Sequence, residues 1–270
     1  MWHRLRLLIP EPVKRVIRRI RSRIVDPFNR GIIIEVSGTP VRAPGYFSGR
    51  GRADHELASA ERFKQWLKSN PEGLVMDVGC SVSTYGIIAL SLSPGSRVIA
   101  IDPDLASLVW TRFLCSKVEN PSRMRLICGF VGAAADSAKN AGAACADTAG
   151  EMEKRFASPF EAVTKYRDSN DNTNSAVPRL SVDTLLEGED CPGGLLIKID
   201  VEAHELGVLV GARRTLASLG PRLLVSVHPQ LGADAAEIGR YLGSAGYSWE
   251  HFATDHEEHW WCEPQPGRLS

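Results

Sequence analysis

The 270-residue chain is 43% apolar and 24% charged, with 32 Lys+Arg balanced by 32 Asp+Glu, the make-up of a folded protein with a sizeable core. This balance gives no strong basic field, so no nucleic-acid partner is expected. The longest apolar runs fall short of the roughly 18 residues a membrane span needs, and six scattered cysteines without a CxxC pair suit reduced thiols in a cytoplasmic protein, with neither disulfides nor a zinc ribbon.

The chain begins with a basic stretch in which Pro10 and Pro12 interrupt a short apolar run, so a secretory signal is not expected. Residues 12–25 place Val13, Val16, Ile17, Ile20 and Ile24 at helical spacing, with Lys14, Arg15, Arg18, Arg19, Arg21 and Arg23 around them. Such a basic amphipathic helix either docks its stripe on the protein's own core or rests on an anionic membrane surface. "GIIIEVSGTPVRAP" predicts two short strands about a Ser37-Gly38 turn. After a Gly/Arg-rich loop, residues 54–69 predict a helix with Leu57, Phe63, Trp66 and Leu67 on one face, ended by Asn70-Pro71. Residues 1–70 thus form an extension expected to cover a cofactor or help dimerisation.

From residue 73 short β-branched runs alternate with helical stretches at βαβ spacing, which predicts one α/β domain over residues 71–270. Strands are expected at "GLVMDVG", "SRVIAIDPD", "RMRLICGFVGA", "GGLLIKIDVE" and "RLLVSVH", with a closing pair around Tyr247 and Trp260. One helix between them is expected to turn Leu105, Leu108, Val109 and Phe113 inward. Residues 136–178 break the rhythm and read as an excursion from the core, expected to close over the substrate.

In an open doubly wound sheet the ligand lies at the carboxyl ends of the strands, near the switch point. The first of these strands ends in Asp77, Gly79, Cys80 and Ser81, where a glycine lets the backbone approach a ligand. The next ends in Asp102, placed to accept both hydroxyls of a ribose. Ser81 stands where a G-x-G-x-x-G fingerprint needs its second glycine, which disfavours a nicotinamide-dependent oxidoreductase and points to a nucleoside without a diphosphate. Asp-x-Gly at one strand end, with an acidic residue about 25 positions later, resembles the S-adenosylmethionine site of class I methyltransferases.

The second half sharpens this. "SVDTLL" followed by "LLIKIDVEAHELGVLVGARRTL" closely resembles the FkbM family of S-adenosylmethionine-dependent methyltransferases, whose pattern reads D-T-L, then K-x-D-V-E-G-x-E-x-x-V-L-x-G-A. The matching residues are Lys198, Asp200, Val201, Glu202, Glu205, Val208, Leu209, Gly211 and Ala212. The family's first motif, D-x-G-A-N-x-G, is altered to Cys80, Ser81 and Ser83, and Ala203 replaces a usual glycine. The resemblance implies a Rossmann-like class I methyltransferase fold, with a mostly parallel seven-stranded sheet carrying helices on both faces. It also implies S-adenosyl-L-methionine as cofactor, held by Asp77, Gly79, Cys80, Ser81 and Asp102, and O-methylation of a small-molecule or glycan hydroxyl, for example on a sugar of a glycolipid or natural product. A non-catalytic S-adenosylmethionine-binding protein is the alternative.

Strand alternation puts Lys198, Asp200 and Glu202 on one side of "LLIKIDVE". In the usual strand order of this fold His228 then ends beside Asp200 and Glu202. His228, oriented by either carboxylate, is the expected proton acceptor. The alternatives are a structural ion pair, with Lys198 neutralising Asp200 or Asp183, and a divalent cation held by Asp200, Glu202 and His228; no metal is assigned. Glu205, Arg213 and Arg214 read as helix-surface residues. His251, His256 and His259 fall in "HFATDHEEHWW", whose spacing suggests zinc only weakly against an edge strand near the substrate mouth.

Overall fold

The computed structural model describes residues 31–49, 51, 53–133, 177–254 and 257–267, together with Val13, Val16 and Ile20. Five apolar runs form parallel strands: β3 (Leu74–Val78), β4 (Arg97–Asp102), β5 (Met124–Cys128), β8 (Leu195–Ile199) and β9 (Arg222–Val227). Every residue of β3 and β8 is buried, the signature of strands covered on both faces. β10 (Tyr247–Thr254) and β11 (Glu258–Pro264) close the sheet as an antiparallel hairpin, in the order β10-β11-β9-β8-β3-β4-β5. The chain leaves β3 toward β4 and β5, then returns to β8 on the other side. The switch point therefore lies between β3 and β8, where a ligand is expected.

One face of the sheet packs Val75, Val98, Leu126, Leu196 and Leu224 beneath α1 (Leu57–Ser69), α2 (Thr84–Leu92) and α3 (Leu105–Cys115). Val36 and Val41 of the antiparallel hairpin β1 (Ile32–Val36) and β2 (Thr39–Ala43) join this cluster, as do Phe63 and Trp66 of α1. The described part of the N-terminal extension therefore shares the domain's core. The other face packs Met76, Ile101, Ile197 and Val225 against α4 (Val182–Leu185), α5 (Glu205–Val210), α6 (Arg213–Ser218) and α7 (Ala235–Ser244).

Three expectations change in detail. Leu57, expected inward, is 49% exposed at the first turn of α1. The run after Met124 splits at Gly129, and Phe130–Val131 (β6) peels off to pair with Arg179–Leu180 (β7), because Gly129 backs onto the Leu180 side chain. Of the N-terminal stripe, Val13, Val16 and Ile20 are helical and about half exposed. The rest of residues 12–25, and residues 136–176 of the excursion, lie outside the described residues.

Candidate active site

The loop after β3 carries three left-handed residues, Gly79, Ser81 and Ser83. At Gly79 the need is absolute: a Cβ there would stand 1.8 Å from the Asp200 carbonyl oxygen. The glycine expected to admit a ligand is thus required first by the chain's own backbone, where β3 passes the end of β8. Ser83 holds at φ 46° the left-handed conformation that the family pattern gives to glycine. Its buried hydroxyl turns inward and donates to Asp77 Oδ2 at 2.8 Å, so it does not narrow the loop mouth. Asp77, also buried, supports the loop from below. Burial pushes its carboxyl up to about 6, against the Ser83 hydrogen bond and the Lys198 charge.

Asp102 stands as expected at the end of β4. Its Oδ2 accepts from Ser81 N and its Oδ1 from Asp104 N, both at 2.7 Å. Each carboxylate oxygen keeps a further lone pair, so the group still fits a pair of ribose hydroxyls. Burial raises its pKa, partly countered by the two backbone N–H groups. Cys80 differs from expectation: its side chain packs in the core, its N–H donates to Ile101 O, and burial drives its thiol pKa well up. It offers a cofactor no polar group.

The second half of the site is a buried polar cluster assembled from six elements. Lys198 Nζ donates to Ser226 Oγ and, at 3.2 Å, to Asp200 Oδ2, and it lies 5.4 Å over the Tyr85 ring. Burial works against the Lys198 ammonium, but the carboxylates of Asp200, Glu56 and Glu257 raise its pKa overall. Tyr85 OH donates to Glu56 Oε2 at 2.7 Å, and His55 Nε2 lies 2.9 Å from Glu56 Oε1. Despite burial, His55, Lys198 and Tyr85 hold the Glu56 carboxyl well below the usual range. His228 Nδ1 lies 2.7 Å from Glu205 Oε1, and its Nε2 lies 3.0 Å from Glu257 Oε2 and 3.4 Å from Asp200 Oδ1. Hydrogen bonds to Glu205 and Glu257 raise the His228 pKa to about 10. The imidazole therefore carries its proton at neutral pH and must lose it before it can accept another.

Several expected partners change. Asp200 and His228 meet, but Glu202 does not join them. The strand ends at Ile199, and Glu202 follows in a left-handed turn, exposed and on the Asp102 side. Strand alternation does not extend past a strand's last residue. Glu205, read as a surface residue, is fully buried. It shares one helix face with Val208 and Leu209, three and four positions on, and that spacing was the signal available. Arg213 and Arg214 are exposed, as expected. Asp183 does not pair with Lys198. It accepts from Thr215 N at 2.8 Å and Arg214 N at 3.0 Å at the start of α6, a structural task. Glu56, Glu257 and His259 were not anticipated. His259 is buried because β11 pairs with β9 in the register His259↔Ser226, a long-range fact with no local signal. His251 is exposed and bonds Thr254 Oγ1, and His256 lies outside the described residues.

The methyltransferase FkbM domain pattern matches residues 79–249. The chain belongs to the FkbM methyltransferase family. Solved structures similar to it include a methyltransferase FkbM from Methylobacillus flagellatus, at 18% identity and TM-score 0.47, covering 72% of this chain and 44% of that one. A precorrin-6y C5,15-methyltransferase from Geobacter metallireducens follows at 12% identity and TM-score 0.44, covering 79% of this chain and 89% of that one. A TehB-like S-adenosylmethionine-dependent methyltransferase from Corynebacterium glutamicum shows 12% identity and TM-score 0.43, with 81% and 92% covered. The chain thus spans less than half the length of the FkbM structure it matches. No curated protein matches it. The seven-stranded sheet with one antiparallel hairpin at its edge is that of a class I methyltransferase.

Proposed function

We propose that this FkbM-family protein is an S-adenosylmethionine-dependent O-methyltransferase acting on a hydroxyl of a small molecule or glycan, with a sugar as the acceptor class. The observation that carries the reading is the junction at Gly79, where the cofactor loop touches the backbone of Asp200 and so abuts the buried acid/base cluster. Asp102 and the Ser81 turn would hold the ribose end of the cofactor. When bound, the cofactor supplies an electrophilic methyl group. Transfer to a hydroxyl then needs an acceptor held in line and a site for its proton. Asp200 is the cluster's solvent-side carboxylate, its side chain 27% exposed against 5% for His228 and 4% for Glu257. It is the group that meets the hydroxyl. His228, held by Glu205, positions Asp200 and shares the proton.

Labelled methyl transfer from S-adenosylmethionine to a panel of sugar and glycolipid acceptors tests the activity. Asp200→Asn and His228→Ala are each expected to lower kcat by roughly 100- to 10,000-fold, the usual worth of acid/base assistance, with cofactor affinity nearly unchanged. Absence of turnover with every hydroxyl acceptor, while cofactor binds, favours the non-catalytic alternative. Full turnover in both variants removes the cluster from the mechanism.

The segment 12–25 rests, in this reading, on an anionic lipid surface. The exposure of Val13, Val16 and Ile20 beside the run of Lys14, Arg15, Arg18, Arg19, Arg21 and Arg23 favours it. Among the described residues no helix is long and apolar enough to cross a membrane. Co-sedimentation with liposomes is expected to rise with anionic lipid and fall with salt; indifference to both removes the lipid contact.

A further inference from the structure

Glu56 departs from the usual pattern at a helix start. It is the residue before α1 (Leu57–Ser69), a place where a side chain in an extended conformation ordinarily caps free backbone N–H groups. Glu56 is instead left-handed, at φ 44° and ψ 46°, and makes no side-chain cap. Its carboxylate turns inward, where it accepts from Tyr85 OH at 2.7 Å and lies 2.9 Å from His55 Nε2, its side chain only 5% exposed. Left-handed strain at a bulky residue persists only where the surrounding structure imposes it. Here that strain accompanies a carboxylate placed inside the cluster.

From Glu56 the contacts run in an unbroken line to Asp200. The Tyr85 hydroxyl is anchored on Glu56, and Phe63 of α1 packs edge-on against the Tyr85 ring, with centroids 5.2 Å apart at 86°. The ring in turn lies 5.4 Å from Lys198 Nζ, within the range over which an aromatic face attracts an ammonium. Lys198 is buried, and its Nζ also donates to Ser226 Oγ and, at 3.2 Å, to Asp200 Oδ2. An ammonium is a compact charge on a flexible stem. Two hydrogen bonds and one ring face hold that stem in place. Lys198 therefore keeps one oxygen of Asp200, and the other, Oδ1, stands 3.4 Å from His228 Nε2. The Glu56 charge also acts on Lys198, so the line is coupled electrostatically as well as by contact.

We propose that Glu56, supplied by the N-terminal extension, is a positioning residue for methyl transfer, which acts through Tyr85 and Lys198 to fix the rotation of the Asp200 carboxylate. Its role rests on the function proposed above, in which Asp200 meets the acceptor hydroxyl. The FkbM domain pattern begins at residue 79, so Glu56 is a part of this site that the family match does not supply. Tyr85 stands two residues after Ser83, which bonds Asp77, so the same line starts α2 beside the loop proposed to hold the cofactor. A carboxylate free to turn away from the hydroxyl costs rate more than binding, because proton acceptance is felt in the transition state.

Two conservative variants of the full-length protein test it. Glu56→Gln keeps the shape and removes the charge, whereas Tyr85→Phe keeps the ring and removes its anchor. Circular dichroism and melting check that each folds. Labelled methyl transfer from S-adenosylmethionine to the sugar and glycolipid panel gives kcat and acceptor KM, and calorimetry with S-adenosylhomocysteine gives cofactor affinity. In each variant kcat is expected to fall about 10- to 100-fold, the scale of a small misplacement of a reacting group, with acceptor KM and cofactor affinity nearly unchanged. The double variant is expected to fall no further than the lower single, because the two residues act as one unit. Parental kcat in folded variants, a loss confined to KM or cofactor affinity, or a multiplicative loss in the double variant overturns the positioning role and leaves the proposed function standing. Failure of both single variants to fold makes Glu56 a structural residue and overturns the role too. Absence of hydroxyl methylation by the parent protein removes the proposed function, and this role with it.

Discussion

The two halves of the site are built in different ways. The end proposed to hold the cofactor is local: Asp77 to Ser83 form one turn after β3, and Asp102 meets that turn from the next strand through a backbone N–H. The proposed acid/base end is collective. Its members come from α2, β8, α5, β9, the β10–β11 hairpin and the segment around Glu56, and each side chain is held by another from a distant element. The first half depends on backbone shape, so replacing a glycine should damage it most. The second depends on mutual charge compensation, so losing one partner should show up mainly in its response to pH.

The largest effect expected is at the contact between the halves. Gly79→Ala places a methyl 1.8 Å from the Asp200 carbonyl at a residue with φ 73°. Overpacking against rigid backbone together with left-handed strain should cost about 3 to 5 kcal/mol in unfolding free energy, read by denaturant titration. A loss under about 1 kcal/mol would show that β3 and β8 can separate here, and that the two halves are less tightly joined than described.

Next comes the cofactor end alone. Asp102→Ala should weaken S-adenosylhomocysteine binding by roughly 1.5 to 3 kcal/mol in calorimetry, the worth of hydrogen bonds to a charged group. Unchanged affinity would mean that Asp102 only braces Ser81 and Asp104, and the ribose contact would have to be sought elsewhere, for example at Glu202.

The smallest effect per step belongs to the acid/base end. His228 has a folded pKa of about 10 against an ordinary value of 6.5. The stability contributed by its proton is fully present below about 6.5, declines above that, and is lost as pH passes about 10. Between pH 6.5 and 9, before the buried thiols titrate, stability should fall with a slope of up to about 1.4 kcal/mol per pH unit. Glu205→Gln removes the strongest contributor to the shift and should flatten that slope, as measured by denaturant unfolding across the pH series. A slope that is flat already in the parent protein would show that Glu205, Glu257 and Asp200 do not hold a proton on His228.

Much of the first half was legible in the sequence, because turns and strand ends are set by neighbours in the chain. The Asp77-to-Ser81 turn, Asp102 and the strand that presents Asp200 all lie where their patterns put them. The second half was legible only in part. His228 and Asp200 meet as their strand ends predict because β8 and β9 are adjacent. Strand alternation groups Glu202 with Asp200, but the strand ends at Ile199 and the left-handed turn that follows takes Glu202 away. The burial of Glu205 is not legible, because helical spacing shows which residues share a face but leaves open which face meets the sheet.

By itself, then, the sequence determined the alternation of strands and helices and the family, since periodicity and short motifs encode local hydrogen bonding and burial. Only the tertiary structure decided that Glu56, Glu205, Glu257 and His259 surround His228 and Lys198. Those contacts depend on strand order and on the β9–β11 register, where residues more than 30 positions apart meet. A buried charge shows its partners only when the chain that carries them has been folded against it.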